Sequence, residues 1–177
     1  MFRIISAKEA VQYINKNESI FLDSGSTVFE MTRFLEAFDH ITVATNDLYI
    51  AQNLTNAESV EVTVIGGSLR KHYYTLTGFF AGLVLENLRF DHAFLGIDTI
   101  SQKGGLMITN IEEVELKRKV KERANNTIIL CDHSKFEQES FLKVCNLEDV
   151  DVIITGKELD RDVYKRYVDA GVNIVVV

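Results

Sequence analysis

The sequence predicts an α/β fold with a mainly parallel sheet flanked by helices. Strand-like and helix-like segments alternate along all 177 residues, and several strand-like runs are continuously apolar, as strands buried on both faces are. Apolar residues make up 46% of the chain and charged residues 25%, which is typical of a domain with a hydrophobic core. No linker, repeat or low-complexity stretch divides the sequence, so we expect a single domain over residues 1–177.

The first expected element is a short amphipathic helix. Ser6 and Glu9 have the spacing of a capping box, and Val11 and Ile14 would face the core. The strand-like runs are Ile20–Leu22, Ile41–Thr45, Val60–Ile65, His92–Ile97, Thr127–Cys131, Val152–Thr155 and Val172–Val177. The helical stretches between them are Thr27–Phe38, Asp47–Leu54, Phe79–Leu88, Ile111–Ala124 and Arg161–Ala170. Two segments, Leu69–Thr77 and Ser140–Asn146, fit this scheme poorly, and each could be an extra strand or an ordered loop.

Charge and composition exclude several classes of function. The net charge of −7 argues against nucleic-acid binding by the chain alone, because such binding rests largely on neutralising phosphates. No apolar run is long enough for a membrane helix, and residues 1–17 lack the apolar centre of a signal peptide, so we expect a cytoplasmic protein without membrane contact. The histidines are scattered and no Cys-x-x-Cys pair occurs, so we expect no metal site, and Cys131 should be buried and reduced.

Unusual residues follow five of the predicted strands. The connections are Asp23-Ser24-Gly25-Ser26-Thr27, Thr45-Asn46, Gly66-Gly67-Ser68-Leu69-Arg70, Gly96-Ile97-Asp98 with Gly104-Gly105 beyond it, and Asp132-His133-Ser134-Lys135. Because the carboxyl ends of parallel strands face the same side, these loops would meet around one pocket. In the first loop, a glycine and a helix start would offer backbone N–H groups to an anion, which predicts a bound phosphate.

A purely structural role remains open for each connection. An N-cap alone would account for the first loop and for Thr45-Asn46, and a turn alone would account for Gly66-Gly67. Arg70 and Lys135 could be solvated, although a guanidinium can also hold phosphate through two parallel hydrogen bonds. Asp98 could cap the turn that follows it.

The helix predicted over Ile111–Ala124 carries two charges at the edge of its apolar face. At roughly 100° per residue, Glu113 and Lys117 lie on the side of Leu116 and Val120. One interpretation is an ordinary pair four residues apart, worth roughly 0.2–0.5 kcal/mol. The other is a carboxylate and an ammonium group that face a polyhydroxyl ligand, with pKa values shifted by partial burial.

Taken together, these motifs resemble the effector-binding domain of the DeoR family of bacterial transcriptional repressors. The matching stretches, in the order of the family, are Phe21-Leu22-Asp23-Ser24-Gly25-Ser26-Thr27, Val43-Ala44-Thr45-Asn46, Gly66-Gly67-Ser68-Leu69-Arg70, Phe94-Leu95-Gly96-Ile97-Asp98, Glu112-Glu113-Val114-Glu115-Leu116-Lys117-Arg118 and Asp132-His133-Ser134-Lys135-Phe136. The resemblance implies a Rossmann-like fold shared with ribose-5-phosphate isomerase and glucosamine-6-phosphate deaminase. It also implies a phosphorylated sugar or related metabolite as the effector, and no cofactor.

The resemblance also assigns roles to residues. Ser24, Gly25, Ser26 and Thr27 would hold the phosphate, with Asp23 beside them. The rest of the pocket would be lined by Asn46, Gly66, Gly67, Arg70, Asp98, Glu113, Lys117 and Lys135. Under this interpretation no residue is catalytic.

The resemblance has one large departure. Members of the family begin with a winged helix-turn-helix domain, whereas only some nineteen residues precede the first strand here, so we expect that domain to be absent. DNA would be bound only through the missing domain, and we expect a homo-oligomer because operators have two-fold symmetry.

Two other functions were weighed. A sugar-phosphate isomerase or deaminase of the same fold could use Asp98, Glu113 and Lys117 as acid–base groups. A nicotinamide-binding domain would need Gly-x-Gly-x-x-Gly after the first strand, and the loop from Asp23 to Thr27 lacks that spacing.

Overall fold

Twelve strands and seven α-helices form the structure, a computed structural model that describes residues 1–177. The strands are β1 (Ser19–Leu22), β2 (Ile41–Thr45), β3 (Val60–Val64), β4 (Ser68–Leu69), β5 (Leu76–Thr77), β6 (Phe90–Leu95), β7 (Thr99–Ser101), β8 (Gly105–Ile108), β9 (Ala124–Leu130), β10 (Leu142–Cys145), β11 (Val152–Thr155) and β12 (Ile174–Val176). The helices are α1 (Phe2–Ala10), α2 (Ser26–Phe29), α3 (Thr32–Leu35), α4 (Leu48–Asn53), α5 (Phe79–Leu85), α6 (Ile111–Arg123) and α7 (Arg161–Asp169).

Seven of the strands form one parallel sheet, which confirms the predicted fold class. Their order across the sheet is β3-β2-β1-β6-β9-β11-β12. The chain winds outward from β1 to β3, returns to the middle for β6, and then winds outward on the other side. In open α/β sheets a ligand crevice lies at such a reversal, outside the carboxyl ends of the strands. The reversal here lies between β1 and β6, where Ile20 pairs with His92 and Leu22 with Phe94.

The core has one layer on each face of this sheet. Alternate residues of a strand point to opposite faces, so Phe21 packs in one cluster with α5, α6 and α7, whereas Ile20 and Leu22 pack in the other with α1 and the helices that follow β1 and β2. Burial on both faces explains why these strands appear in the sequence as continuous apolar runs. No helix of the structure has both the length and the apolar character needed to cross a membrane.

Two predictions about the first helices are wrong. Helix α1 begins at Phe2 rather than at Ser6, which lies inside the helix with its side chain buried. Burial of Ser6, Ala7 and Ala10 against the sheet extends the helix upstream, because tertiary packing outweighs a local capping signal. The single helix predicted over Thr27–Phe38 is divided into α2 and α3, since the N–H of Met31 donates to Val28 in a tighter turn.

The two segments that fitted poorly contain strands. Strands β4 and β5 form a hairpin, and β10 joins β8 and β7 in a small antiparallel sheet. The hairpin is fastened to the start of α4, because the N–H of Leu48 donates to the carbonyl of Tyr74 at 2.9 Å and that of Leu76 to the carbonyl of Asn46 at 2.8 Å. The loop between β4 and β5 therefore lies beside the carboxyl end of β2.

Candidate functional site

The carboxyl ends of β1 and β6 are held together by Asp23. Its backbone N–H donates to the carbonyl of Phe94 at 3.0 Å, and its Oδ2 accepts from the N–H of Gly96 at 2.9 Å. The ammonium group of Lys117, on α6, contacts the same carboxylate oxygen. Both charged side chains are almost fully buried, at 4% and 1% exposure, so they form an ion pair beneath the crevice.

The loop after Asp23 leaves backbone donors free. Ser24 and Gly25 lie outside the helices and strands, and neither N–H donates a hydrogen bond within the chain. Gly25 has φ of +155°, which L side chains rarely adopt, and a Cβ built on it would meet nothing within 4 Å. No side chain caps α2, so capping does not account for the polar residues of this loop.

The cap of α4 is also different from the one considered in the sequence. Asp47, and not Thr45 or Asn46, caps the helix, because its Oδ1 accepts from the N–H groups of Tyr49 at 2.8 Å and Ile50 at 3.1 Å. Asn46 is fully buried, and its amide donates to the carbonyl of Leu76 at 3.2 Å. Asn46 therefore joins β2 to the hairpin.

A cavity of about 630 Å³, which we call the tyrosine cavity, adjoins the Ser24–Ser26 loop. Its lining residues are Ser24, Gly25, Ser26, Phe29, Asp47, Tyr49, Arg70, His72, Tyr73, Tyr74, Thr75, Asp98 and Glu113. Arg70 pairs with Glu113, and its guanidinium carbon lies 3.7 Å from the centroid of the Tyr73 ring. The rings of Tyr49 and Tyr74 have centroids 3.9 Å apart. The wall contributed by the hairpin is thus aromatic and is tied to α6 by an ion pair.

A second cavity of about 400 Å³, which we call the lysine cavity, adjoins the same loop. Its lining residues are Phe2, Arg3, Gly25, Ser26, Thr27, Val28, Gly96, Ile97, Leu130, Cys131, Asp132, Ser134 and Lys135. Gly25 and Ser26 are common to both cavities. The lysine cavity combines two cationic side chains with the hydroxyl groups of Ser26, Thr27 and Ser134, a set that suits an anion.

Each carboxylate of the tyrosine cavity is anchored through only one of its oxygens. Asp47 uses Oδ1 to cap α4, Glu113 uses Oε1 to accept from Arg70, and Asp98 uses Oδ2 to accept from the N–H and hydroxyl of Thr109 at 2.8 and 2.6 Å. The other oxygens, Asp47 Oδ2, Asp98 Oδ1 and Glu113 Oε2, accept no hydrogen bond from the chain. They are available to hydrogen-bond donors of a ligand.

Burial alters the acid–base behaviour of two of these groups. Burial raises the pKa of Glu113 above its ordinary value, and the nearby negative charge of Asp23 adds to this, against the opposing effects of Lys117 and Arg70. Burial also raises the pKa of Asp47, although the backbone hydrogen bonds from Ile50 and Tyr49 act in the opposite direction. Both carboxyl groups therefore take up protons more readily than exposed ones.

The structure gathers most of the residues singled out in the sequence. Ser24, Gly25, Ser26, Arg70, Asp98 and Glu113 line the tyrosine cavity, and Gly25, Ser26, Thr27 and Lys135 line the lysine cavity. Asp23, Asn46 and Lys117 are buried and line neither cavity. The pairing of Glu113 with Lys117 considered above is not formed, because partners from other elements, Arg70 and Asp23, take their place.

The two glycines after β3 also lie outside both cavities. A Cβ on Gly67 would lie 2.3 Å from the carbonyl oxygen of Thr77, whereas one on Gly66 would meet nothing within 4 Å. Gly67 thus permits the close approach of β5, a packing role within the hairpin.

Sequence reasoning missed one cation, the carboxylate of Asp47 and the whole aromatic lining. Arg3 comes from α1, which carries no loop motif, and Phe29, Tyr49, His72, Tyr73 and Tyr74 come from short helices and from the hairpin loop. The run His72-Tyr73-Tyr74 was a usable signal, because aromatic side chains crowded in a polar connection need a surface to pack on.

Three bacterial transcriptional regulators match most of the chain. The transcriptional regulator GolR of Listeria innocua is 32% identical over 96% of this chain and 67% of its own length. The putative aga operon transcriptional repressor of Escherichia coli O157:H7 is 34% identical over 97% of this chain and 64% of its own length. The glycerol-3-phosphate regulon repressor of Haemophilus influenzae is 31% identical, over 85% and 58%. The chain thus spans about two thirds or less of the length of these relatives.

Solved structures share the fold at low sequence identity. Ribose 5-phosphate isomerase A of Methanocaldococcus jannaschii superposes with a TM-score of 0.53 at 19% identity, covering 76% of this chain and 53% of the isomerase. The eIF2B beta subunit of Chaetomium thermophilum superposes with a TM-score of 0.61 at 16% identity, covering 86% of this chain and 47% of the subunit. The family model of the DeoR C terminal sensor domain matches residues 4–157, and the chain therefore belongs to that family of sensor domains.

Proposed function

We propose that this chain senses a phosphorylated sugar or a related metabolite, and that the bound ligand alters DNA binding by a winged helix-turn-helix domain carried elsewhere in the regulator. The observation that carries the proposal is the pair of cavities that share Gly25 and Ser26 at the reversal of the sheet. One cavity suits an anion and the other offers free carboxylate oxygens. A sugar phosphate presents both complementary chemistries, a charged phosphate and a set of hydroxyl donors.

The phosphate is assigned to the lysine cavity and the Ser24–Thr27 loop. The free N–H groups of Ser24 and Gly25 are donors of the kind that bind phosphate in other α/β folds. Lys135 and Arg3 supply positive charge, and the hydroxyl groups of Ser26, Thr27 and Ser134 supply further donors. The chain has a net charge of −7, so a cavity with more cationic than acidic side chains is an exception to its overall charge.

The sugar is assigned to the tyrosine cavity. Asp98 and Glu113 each hold one oxygen free for a hydroxyl group, while their other oxygens fix their orientation through Thr109 and Arg70. The tyrosine rings provide apolar surface for the carbon skeleton of the ligand. The name of the Haemophilus relative, a glycerol-3-phosphate regulon repressor, supports an effector that carries a phosphate.

The proposal is for binding without turnover. Of the acid–base groups that an isomerase could use, Lys117 is buried and paired with Asp23, whereas Asp98 and Glu113 line the tyrosine cavity and are oriented by Thr109 and Arg70. The relatives are named as transcriptional regulators or repressors, and the likeness to isomerases is one of fold. Turnover of ribose 5-phosphate or glucosamine 6-phosphate by the purified chain would contradict this part of the proposal.

We include self-association in the proposal, because a regulator of two-fold symmetric operators works as an even-numbered oligomer. Helix α5 supplies a candidate surface. Phe79 and Phe80 are 75% and 68% exposed, and Ile111, which lines a shallow cavity together with Phe79, is 69% exposed. An exposed apolar patch of this kind on a soluble domain is typical of an interaction surface.

The test is a thermal-shift screen of the chain against phosphorylated sugars, with inorganic phosphate and unphosphorylated sugars as controls. A ligand at 100 times its dissociation constant stabilises by about 2.7 kcal/mol, which corresponds to about 5–10 °C for a domain of this size. Ser26→Asp places a negative charge beside the phosphate and should abolish the shift. Ser140→Asp adds the same charge outside both cavities and should leave the shift unchanged. A folded Ser26→Asp variant with unaltered affinity would place the phosphate elsewhere.

A further inference from the structure

The two cavities carry opposite charge. The lysine cavity has two cations, Arg3 and Lys135, against the single carboxylate of Asp132. The tyrosine cavity has three carboxylates against the single permanent cation of Arg70, which is already paired with Glu113, and His72 is the other basic side chain of the lining. The carboxylates of Asp47 and Asp98 therefore face this cavity without a cationic side chain to balance them, and each has one oxygen free.

The aromatic lining of the tyrosine cavity also suits a cation. Tyr49, Tyr73 and Tyr74 present ring surface, and the guanidinium carbon of Arg70 already lies 3.7 Å from the centroid of the Tyr73 ring. A positive charge near the face of a tyrosine ring is attracted by the electrons of the ring. The cavity thus combines two independent features, unbalanced carboxylates and aromatic faces, that favour an ammonium group over a neutral hydroxyl group.

The two cavities adjoin at Gly25 and Ser26, which line both. We infer that the effector is a phosphate ester that carries a protonated amine, with its phosphate in the lysine cavity and its ammonium group beside Asp47 and Asp98 in the tyrosine cavity. The inference rests on the proposed function and narrows it, since a neutral sugar phosphate would leave the two carboxylates without a counter-charge. Amino sugar phosphates and aminoalkyl phosphates belong to the expected class.

The test compares matched pairs of ligands by isothermal titration calorimetry. The pairs are 2-aminoethyl phosphate with ethyl phosphate, and glucosamine 6-phosphate with glucose 6-phosphate. N-acetylglucosamine 6-phosphate is a further control, because acetylation removes the charge of the amine. In at least one pair the amine should bind about tenfold or more tightly than its neutral partner, as expected for hydrogen bonds between charged groups.

Variants test separately the positions assigned to the ammonium group and to the phosphate of the ligand. Asp98→Asn and Asp47→Asn should each lower the ratio between the affinity for the amine and the affinity for its neutral partner, and asparagine at position 47 can still cap α4. Asp160→Asn is the matched control, because Asp160 caps α7 with the same pattern of hydrogen bonds and lines neither cavity. Arg3→Gln should lower the affinities for the two ligands of a pair by the same factor, because both ligands carry the phosphate.

The outcomes distinguish this inference from the proposed function. Equal binding of the two members in every pair would overturn the inference and leave sugar-phosphate sensing intact. Failure of every phosphate ester in the panel and in the wider screen would overturn both. A preference for the amine that survives both aspartate substitutions would contradict the assigned position of the ammonium group, and unchanged affinities in Arg3→Gln would contradict that of the phosphate.

Discussion

The ammonium group of Lys117 is paired with the carboxylate of Asp23 beneath the crevice, and this contact joins α6 to the point where the sheet reverses. The same carboxylate accepts the N–H of Gly96 from the end of β6. Three elements that surround the candidate site thus meet at one buried carboxylate. A buried charge that loses its partner is strongly destabilising, so the pair is a structural requirement for the site above it.

Lys117→Met should therefore destabilise the protein by about 3–5 kcal/mol, because Asp23 is left buried and unpaired. Urea denaturation followed by circular dichroism would measure the change. The double variant Asp23→Asn/Lys117→Met should recover part of the loss. Lys119→Met is the control, since Lys119 pairs with Glu86 at 3.0 Å on the surface, where such pairs contribute about 0–1 kcal/mol. Equal effects of the two single substitutions would show that the buried pair is not formed.

Adjacent glycines should respond differently to the same substitution. Gly67→Ala brings a Cβ to 2.3 Å from the carbonyl oxygen of Thr77, and such overpacking costs about 1–3 kcal/mol. Gly66→Ala meets nothing within 4 Å and should be close to neutral. Chemical denaturation of the two variants tests the contrast. A stable Gly67→Ala protein would mean that β5 does not pack closely on this residue.

The stability contributed by Glu113 should fall as pH rises. Burial is the main cause of the raised pKa of this group in the folded state, so between its ordinary value of 4.5 and the higher folded value the folded protein binds more protons than the unfolded chain. The free energy of unfolding then decreases with increasing pH in that interval. Glu113→Gln should flatten this part of the stability profile, as measured by denaturation at a series of pH values upward from 4.5.

The control for this prediction is Glu115→Gln on the same helix, because Glu115 is exposed. Its profile should follow that of the unmodified protein. A slope that is the same in the Glu113 and Glu115 variants would assign the pH dependence to other groups, of which Asp47 is the first to examine, since burial raises its pKa as well.

Removal of the exposed rings of α5 should reduce self-association. Phe79→Ser/Phe80→Ser replaces two side chains that are largely exposed in the isolated chain. Light scattering coupled to size-exclusion chromatography should show a smaller particle at the same concentration. Phe141→Ser removes a ring that is equally exposed elsewhere, at 77%, and should leave the mass unchanged. A mass that is insensitive to the α5 substitutions would contradict α5 as the interface.

Sequence patterns predicted the parallel sheet well, because strands buried on both faces appear in the sequence as continuous apolar runs such as Val152–Thr155. They were less successful where tertiary contacts override local signals. Ser6 has a good capping spacing, yet its burial against the sheet places it inside α1. Strands β4 and β5 have only two residues each, which is too short for a recognisable alternation.

In the candidate site, too, local sequence patterns predicted some residues, whereas tertiary contacts decided the others. Loop residues such as Ser26 and Asp98 could be anticipated because they follow strands whose ends must share one edge. The partners of Glu113 and Lys117 could not, because helical spacing gives the face of a helix but not the element opposite to it. Arg3 lay outside any motif, and its place in the lysine cavity depends on how α1 packs against the sheet.

The reversal of winding between β1 and β6 divides the sheet into two halves, which come from consecutive segments of the chain and are therefore synthesised one after the other. Residues 19–64 hold β1, β2 and β3, whereas the remaining strands of the sheet begin at residue 90. Pairing of Ile20 with His92 joins the halves, and contacts between residues so distant in sequence form slowly. Both cavities draw residues from the two halves, so neither cavity is complete until the halves have joined. Any ligand that binds across the two halves would stabilise their joined state.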